Sequence, residues 1–184
     1  MKLVIGVAVA VVVIIALIYN SFVGKRNAVK FAFAGIDVQL KKRFDLIPNL
    51  VSAVKAYMQH ERETLERITA LRARAVAQDT PSSEQIRICD QLTPVLHGIL
   101  AQVENYPQLR ASEQFQLLQR NLSEVEEQLS AARRAYNAAV TEYNTATQVF
   151  PGNLFASLFG FRPMDLFSIA EAERAAPRVR DSAP

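Results

Sequence analysis

The chain has 184 residues, with six Gly, one Cys and no Trp, and its 21 basic and 18 acidic residues give a net charge of +3 at pH 7. Because charges of both signs are interspersed, no basic patch indicates nucleic-acid binding, and a single cysteine excludes an internal disulfide. Little glycine with abundant Ala, Leu, Gln, Glu and Arg favours helices over a β-rich fold.

The first segment is apolar and carries no charge from Leu3 to Tyr19. As a helix this run spans roughly 25 Å, near the lower limit for crossing a hydrocarbon core of about 30 Å. The alternative is a cleaved signal peptide, but the small residues of a cleavage site are missing directly after the apolar run. Residues 1–21 are therefore predicted to form a single, uncleaved transmembrane helix.

The charges that flank this helix set its expected orientation. Lys2 and the terminal amine precede it, whereas Lys25, Arg26 and Lys30 follow it. Positive charge concentrates on the cytoplasmic side of membrane helices. The bias is small, and it favours the cytoplasm for the residues that follow the anchor.

Two amphipathic helices are predicted next. The first continues from the anchor, and its apolar face contains Phe33, Ile36, Leu40 and Phe44. The second covers residues 47–75, because Asp45 can cap its start and Pro48 is tolerated in a first turn. It is expected to stop near the turn residues 78–81.

A third helix is predicted between Ser82 and Glu104. Either Ser82 or Ser83 can cap its start. Pro94 is expected to kink or split this helix, because proline lacks the backbone donor of a helical residue.

The fourth helix has the strongest periodic signal in the sequence. It is predicted to begin at the N-cap Ser112 and to end before Pro151. Apolar or small residues recur in steps of three and four, a heptad seam typical of a helix packed lengthwise against other helices. The seam consists of Phe115, Leu118, Leu122, Val125, Leu129, Ala132, Tyr136, Ala139 and Tyr143.

Together these elements predict an all-α fold, in which a single transmembrane helix is followed by an antiparallel up-down four-helix bundle in residues 22–150. In this topology the chain returns to the bilayer after the fourth helix, so residues 151–169 are expected near the membrane. Their rings are expected either to cap the open end of the bundle or to enter the lipid interface. These rings belong to Phe155, Phe159, Phe161 and Phe167. Residues 170–184 are predicted to be a flexible tail.

Polar residues beside the apolar faces predict a network between helices. Tyr136–Asn137 and Tyr143–Asn144 are seven residues apart, so the two pairs project almost identically from their helix. A buried Tyr or Asn needs hydrogen-bond partners. The candidate partners are Asp37, Arg43, Asn49, Glu61 and Arg133. The network is expected to fix helix register, or else to line a polar cavity around Glu61 and Arg133 that binds an ion or a small ligand.

No motif for catalysis, cofactor binding or metal binding is recognisable. A P-loop, a glycine-rich dinucleotide motif and a nucleophile elbow are all missing. His60 directly precedes Glu61, so the Glu-x-x-His pairs of a di-iron bundle are not formed. Cys89 has no His nearby in sequence and is interpreted as a small apolar residue. The sequence therefore predicts no catalytic residue, no cofactor and no metal.

Four segments, together with the anchor, resemble one known family. They are IDVQLKKRFDLIPNLVSAVKAYMQHE (36–61), VENYPQLRASEQFQLLQRNLSEVE (103–126), ARRAYNAAVTEYN (132–144) and FPGNLFASLFGF (150–161). In this order they resemble the LemA family of bacterial membrane proteins over about residues 19–167. The resemblance implies a single-pass protein of the bacterial cytoplasmic (inner) membrane, an antiparallel helical bundle mostly on the cytoplasmic side, and no established enzymatic activity. The family's polar positions appear here as Asp37, Arg43, Asp45, Asn49, His60, Glu61, Asn121, Arg133, Tyr136, Asn137, Tyr143 and Asn144.

These observations lead to two functional hypotheses. The first is a membrane-anchored scaffold or adaptor without catalytic activity, whose partners are the lipid bilayer, further copies of itself and an unidentified membrane protein. The small and β-branched residues of GVAVAVVV in the anchor permit close contact between such helices. The alternative is a ligand- or ion-sensing bundle built around Glu61 and Arg133. A hydrolase or transferase is a third class, for which the sequence offers no nucleophile with a base.

Overall fold

The computed structural model describes residues 1–167 of the chain. All regular secondary structure among these residues is helical, which confirms the predicted all-α class. The tail predicted at 170–184 lies outside the described residues. The helices are α1 (Lys2–Lys55), α2 (Arg62–Ala75), α3 (Ser82–Gln102), α4 (Pro107–Arg110), α5 (Glu113–Gln148) and α6 (Gly152–Phe159), with 3₁₀ turns at Gln59–Glu61 and Val103–Asn105.

The predicted anchor forms the N-terminal part of α1. In the part of the chain that the structure describes, α1 is the one helix long and apolar enough to cross a membrane. No part of its most apolar window is buried against the rest of the protein. Its side chains are therefore available to face lipid along this length.

The predicted start of a second helix at Asp45 is wrong, because α1 continues through Asp45 and Pro48 to Lys55. Pro48 has no amide to donate to the carbonyl of Phe44, one turn earlier. Arg72 supplies that hydrogen bond instead, since its Nε donates to the Phe44 carbonyl oxygen at 3.2 Å. The chain instead leaves α1 after Lys55.

The predicted serine cap of the third helix and its predicted split at Pro94 are also wrong. α3 is continuous from Ser82 to Gln102 with Pro94 inside it. Pro94 lies on the exposed side, while Leu92 and Leu96 are buried on the opposite side and keep the helix packed. Pro81 occupies the N-cap position without a side-chain hydrogen bond, so neither serine caps this helix.

α5 agrees with the sequence at both ends. It begins at Glu113, where the Ser112 hydroxyl accepts a hydrogen bond from the Phe115 amide at 3.4 Å, and it ends before Pro151. The seam is buried from Phe115 through Leu129. Further along, Val140 is fully buried although the heptad pattern omitted it. A straight helix drifts about 20° per heptad away from a 3.5-residue repeat, which moves the buried face toward Val140.

The chain forms two compact units, which are described separately. The first unit contains residues 1–29 and 136–167, and its core includes Val29, Val140 and Tyr143. The second unit contains residues 30–135, in which α2 packs against α3. α1 and α5 each contribute a segment to both units.

Candidate functional site

The side chains of Asn137 and Asn144 each form hydrogen bonds with the backbone of one residue in the segment that follows α6. Asn144 donates from Nδ2 to the Met164 carbonyl at 2.8 Å, and its Oδ1 accepts from the Met164 amide at 2.9 Å. Asn137 forms the same pair with Phe167, at 3.0 Å and 2.9 Å. Each amide side chain therefore satisfies one donor and one acceptor of a residue outside regular secondary structure.

The tyrosine of each pair forms a hydrogen bond with the same segment, at the residue two positions before the one that its neighbouring asparagine contacts. The Tyr143 hydroxyl donates to the carbonyl of Arg162 at 3.0 Å, and the Tyr136 hydroxyl donates to the carbonyl of Asp165 at 3.3 Å. Burial raises the pKa of both phenols, and the Asp165 carboxylate raises that of Tyr136 further. Both hydroxyls therefore keep their protons and remain donors.

The spacing of the two Tyr-Asn pairs matches the spacing of their targets. Seven residues of α-helix advance about 10.5 Å, and three extended residues advance about 9–10 Å. The segment runs antiparallel to α5, because Asn144 binds residue 164 and Asn137 binds residue 167. We call this arrangement the Tyr-Asn ladder. It holds residues 162–167 in one register, and these hydrogen bonds use only backbone groups of the segment.

The hydrogen-bond partners of the two Tyr-Asn pairs differ from the predicted ones. The predicted partners were Arg133 of α5 itself and four residues of other segments, but the hydrogen bonds of the ladder all go to residues 162–167. Of those five candidates, Asn49 is exposed and Asp37 is half-buried. Within residues 1–167 no hydrogen bond or ion pair joins Glu61 to Arg133. Arg133 instead pairs with Asp90 at 2.7 Å.

Arg43 lies in a different polar cluster, in the second unit. Its side chain is 4% exposed, and the guanidinium has Nη1 3.2 Å from the Cys89 sulfur and Nη2 3.9 Å from Oε1 of Glu126. The other oxygen of Glu126 lies 3.3 Å from Nε2 of His97. Of these residues, Arg43 was predicted as a polar network residue and Cys89 as a small apolar residue, whereas Glu126 was not predicted. Nothing in the sequence spacing links these three positions, because they belong to three helices.

Burial raises the pKa of the Cys89 thiol, although the nearby Arg43 and Arg133 charges oppose this shift. A protonated, fully buried thiol is a poor nucleophile and a poor metal ligand. No group of three His, Cys, Asp or Glu side chains is placed to hold a metal ion among residues 1–167. The cluster can therefore fix helix positions, and it lacks the reactive form of its one nucleophile.

The predicted phenylalanines at 159 and 161 lie against the C-terminal end of the apolar run in α1. The ring of Tyr19, the last residue of the apolar run, lies 5.3 Å from that of Phe159 and 5.8 Å from that of Phe161. Phe161 also lies 5.1 Å from Phe22. Phe155 stacks on Phe159 at 6.5 Å within α6.

Phe167 lies apart from these rings, because it packs on Tyr136 with ring centroids 4.6 Å apart. Phe161 is half-buried, and it packs against the core that contains Val29 and Tyr143. The most exposed apolar residues in and beside α6 are not the predicted phenylalanines. They are Phe150, Leu154 and Leu158, at 79%, 61% and 74% exposure.

Comparison with known proteins gives one family and several relatives. The LemA family model matches residues 32–180 of the chain. Protein LemA of Metamycoplasma hominis is 24% identical over 155 residues, which are 84% of this chain and 71% of that protein. Magnetosome protein MamQ 2 of Paramagnetospirillum magneticum is 31% identical over 72 residues, and magnetosome protein MamQ of Magnetospirillum gryphiswaldense is 26% identical over 72 residues. Both of these matches cover 39% of this chain and 26% of the relative, so the chain spans about a quarter of the length of these magnetosome proteins.

Proposed function

This chain belongs to the LemA family, and from that premise we propose that it is a membrane-anchored scaffold that holds further copies of itself, or an unidentified membrane protein, at the bilayer. The observation that carries this proposal is the continuity of α1. One helix extends from the exposed apolar window to Lys55 without a break. The helix that contains the anchor thus continues beyond it without an intervening loop. Such a helix suits a protein that holds other proteins at the membrane.

The proposed architecture is an antiparallel bundle. Its support is the short connections between α1, α2 and α3, which leave little chain to cross between distant positions. The contact of Phe159 and Phe161 with Tyr19 gives a second support, since it brings the segment after α5 back to the end of the apolar run.

We expect the chain to have no catalytic activity of its own. Its one thiol is buried and kept protonated, and the Tyr-Asn ladder uses its polar groups on the chain's own backbone. The alternative of a sensing site around Glu61 and Arg133 has less support, because Arg133 is paired with Asp90.

The proposed location is the bacterial cytoplasmic membrane, with the bundle in the cytoplasm. Lys25, Arg26 and Lys30 on the C-terminal side of the anchor support this orientation. Two reporters fused after Pro184 test this orientation: green fluorescent protein is fluorescent in the cytoplasm, and alkaline phosphatase is active on the opposite side of the membrane. Fluorescence without phosphatase activity is expected, and the reverse pattern would overturn the orientation.

The scaffold proposal is tested by the mass of the intact protein. Light scattering in mild detergent, corrected for bound detergent, is expected to give a multiple of the 20.5 kDa chain. Gly6 and Ala10 are spaced as a small-xxx-small pair, so Gly6→Ile is expected to reduce the multimer while Val12→Ile leaves it intact. Crosslinking in native membranes then identifies any other protein that is held. A monomer by scattering, together with no crosslinked product in membranes, would overturn the proposal.

A further inference from the structure

α6 is a short helix with a largely apolar composition. Its sequence, GNLFASLF, contains no charged residue. Leu154 and Leu158 are one turn apart and are both largely exposed, and Phe150 just before the helix is 79% exposed. Only Asn153 and Ser157 are polar in this helix. We call the exposed side chains of Phe150, Leu154 and Leu158 the apolar patch.

The apolar patch is fixed beside the end of the anchor. A Cβ at Gly152 would collide with the carbonyl oxygen of Ala146 and lie 3.3 Å from Cζ of Phe22, so glycine allows α6 to approach α1 and α5 closely. At the other end of α6, Phe159 contacts Tyr19, and Gly160 ends the helix with φ of 72°. Both ends of α6 therefore lie against residues 19–22 of α1.

Residues 19–22 of α1 are where the apolar run gives way to charge. The run is uncharged up to Tyr19, and Lys25 and Arg26 follow within two turns. Tyrosine and lysine are enriched at this level because they bridge the hydrocarbon and the lipid headgroups. An apolar surface held beside residues 19–22 is therefore at the level of the boundary between hydrocarbon and headgroups when the anchor crosses a bilayer.

We propose that the apolar patch is a second lipid contact, inserted into the interface of the same bilayer that the anchor crosses. An amphipathic helix at the headgroup boundary buries its apolar side about 5–10 Å into the interface. α6 has exposed leucines and no charged side chain that would oppose such burial. The contact rests on the proposed anchoring of the chain. It would hold the first unit against the bilayer at two places, the anchor and α6, and so limit rotation about the anchor.

The experiment uses the full-length protein, because the chain contains no Trp and accepts single tryptophan probes. Leu154→Trp and Leu158→Trp are placed in the apolar patch. Leu17→Trp, in the exposed anchor, is the control for insertion of the anchor into the bilayer. Ala138→Trp, on an exposed position of the first unit about 15 Å of helix before the end of α5, is the control for water.

Each variant is reconstituted into phosphatidylcholine–phosphatidylglycerol vesicles that contain lipids brominated at shallow or deep acyl positions. Shallow bromines are expected to quench the probes at 154 and 158 at least about twofold more than the probe at 138. Acrylamide in the water is expected to reach the probe at 138 best.

Quenching at 17 without extra quenching at 154 and 158 would overturn the lipid contact and leave the anchoring intact. No quenching at 17 would overturn the anchoring on which it rests. Probes at 154 and 158 that are shielded from both acrylamide and bromine would show that protein covers the patch, which also overturns the proposal.

Discussion

The side-chain amide of Asn144 forms with Met164 the two hydrogen bonds that a neighbouring β-strand would form. Its nitrogen donates to the Met164 carbonyl at 2.8 Å, and its oxygen accepts from the Met164 amide at 2.9 Å. Asn137 repeats this relationship with Phe167. A segment without regular structure thus receives its backbone hydrogen bonds from one face of a helix.

We expect Asn144→Ala to release this segment locally. The loss of two hydrogen bonds to half-buried backbone groups costs about 1–3 kcal/mol, or roughly a 5- to 150-fold faster exchange of the Met164 amide. Hydrogen exchange of the detergent-solubilised protein measures it. Asn105→Ala, at an exposed position of the other unit, is the control. Exchange at Met164 that is equal in both variants would contradict the role of the ladder.

Two glycines with opposite surroundings give a second prediction. In Gly152→Ala the new Cβ would meet the Ala146 carbonyl, so α6 must shift, at a cost of about 1–3 kcal/mol. In Gly98→Ala the new Cβ meets nothing within 4 Å inside α3, so stability should rise by up to about 1 kcal/mol. Urea unfolding compares both with the parent protein. A neutral or stabilising Gly152→Ala would show that α6 does not need this close approach.

Much of the fold follows from local sequence. The uncharged run and the heptad seam of α5 are properties of spacing and polarity, and Ser112 caps α5 as its residue type predicts. The contacts of the Tyr-Asn ladder could not be predicted in this way. Residues 162–167 contribute only backbone groups to the ladder, and every sequence has those. The repeated Tyr-Asn pairs in α5 therefore indicate that polar groups pack against this face of the helix, but they do not identify residues 162–167 as the source of those groups.

Pro48 shows the opposite failure, in which a local signal is overridden by a distant residue. The missing amide of Pro48 leaves the Phe44 carbonyl without its helical donor, and Arg72 supplies one at 3.2 Å. The sequence cannot show that Arg72, on another helix, lies at that carbonyl. Asp45, where a helix was predicted to begin, therefore lies in the interior of α1.

This substitution of donors predicts a coupling between Arg72 and Pro48. Arg72→Met should destabilise the protein by about 1–2 kcal/mol, because the Phe44 carbonyl loses its donor. In a Pro48→Ala background the alanine amide can serve that carbonyl, so the same Arg72→Met should cost less than half as much. A double-mutant cycle by urea unfolding gives the coupling energy. Additive costs would show that Arg72 contributes through other contacts.

Glu126 is expected to matter more than its neighbour in sequence. It is the carboxylate beside the buried Arg43 and also contacts His97. Glu126→Ala leaves the Arg43 guanidinium with the Cys89 sulfur as its one remaining partner among the contacts described, so we expect a loss of about 1–3 kcal/mol in unfolding free energy. Glu127→Ala, at an exposed position, should stay within about 0.5 kcal/mol of the parent. Equal losses in the two variants would mean that Glu126 does not stabilise Arg43.

Cys89 predicts a fall in stability at alkaline pH. Burial raises the pKa of its thiol in the folded protein, whereas in the unfolded chain a thiol titrates near about 8.5. Above that pH the unfolded state has lost the proton and the folded state still holds it, so the free energy of unfolding decreases as pH rises. The stabilisation is present below about pH 8.5, and it is lost progressively as the pH rises above that value.

Cys89→Ala isolates this contribution, because Tyr and Lys titrate in both proteins and cancel in the difference. Urea unfolding from about pH 7.5 to about pH 9.5 measures the free energy of unfolding of both proteins. As the pH rises, this free energy should decrease more for the parent than for the variant. The variant also lacks the sulfur that Arg43 contacts at 3.2 Å, so it starts with a constant loss at neutral pH. Because that loss does not depend on thiol ionisation, the slope alone is diagnostic. A difference that stays constant with pH would show that the folded thiol titrates as it does in the unfolded chain.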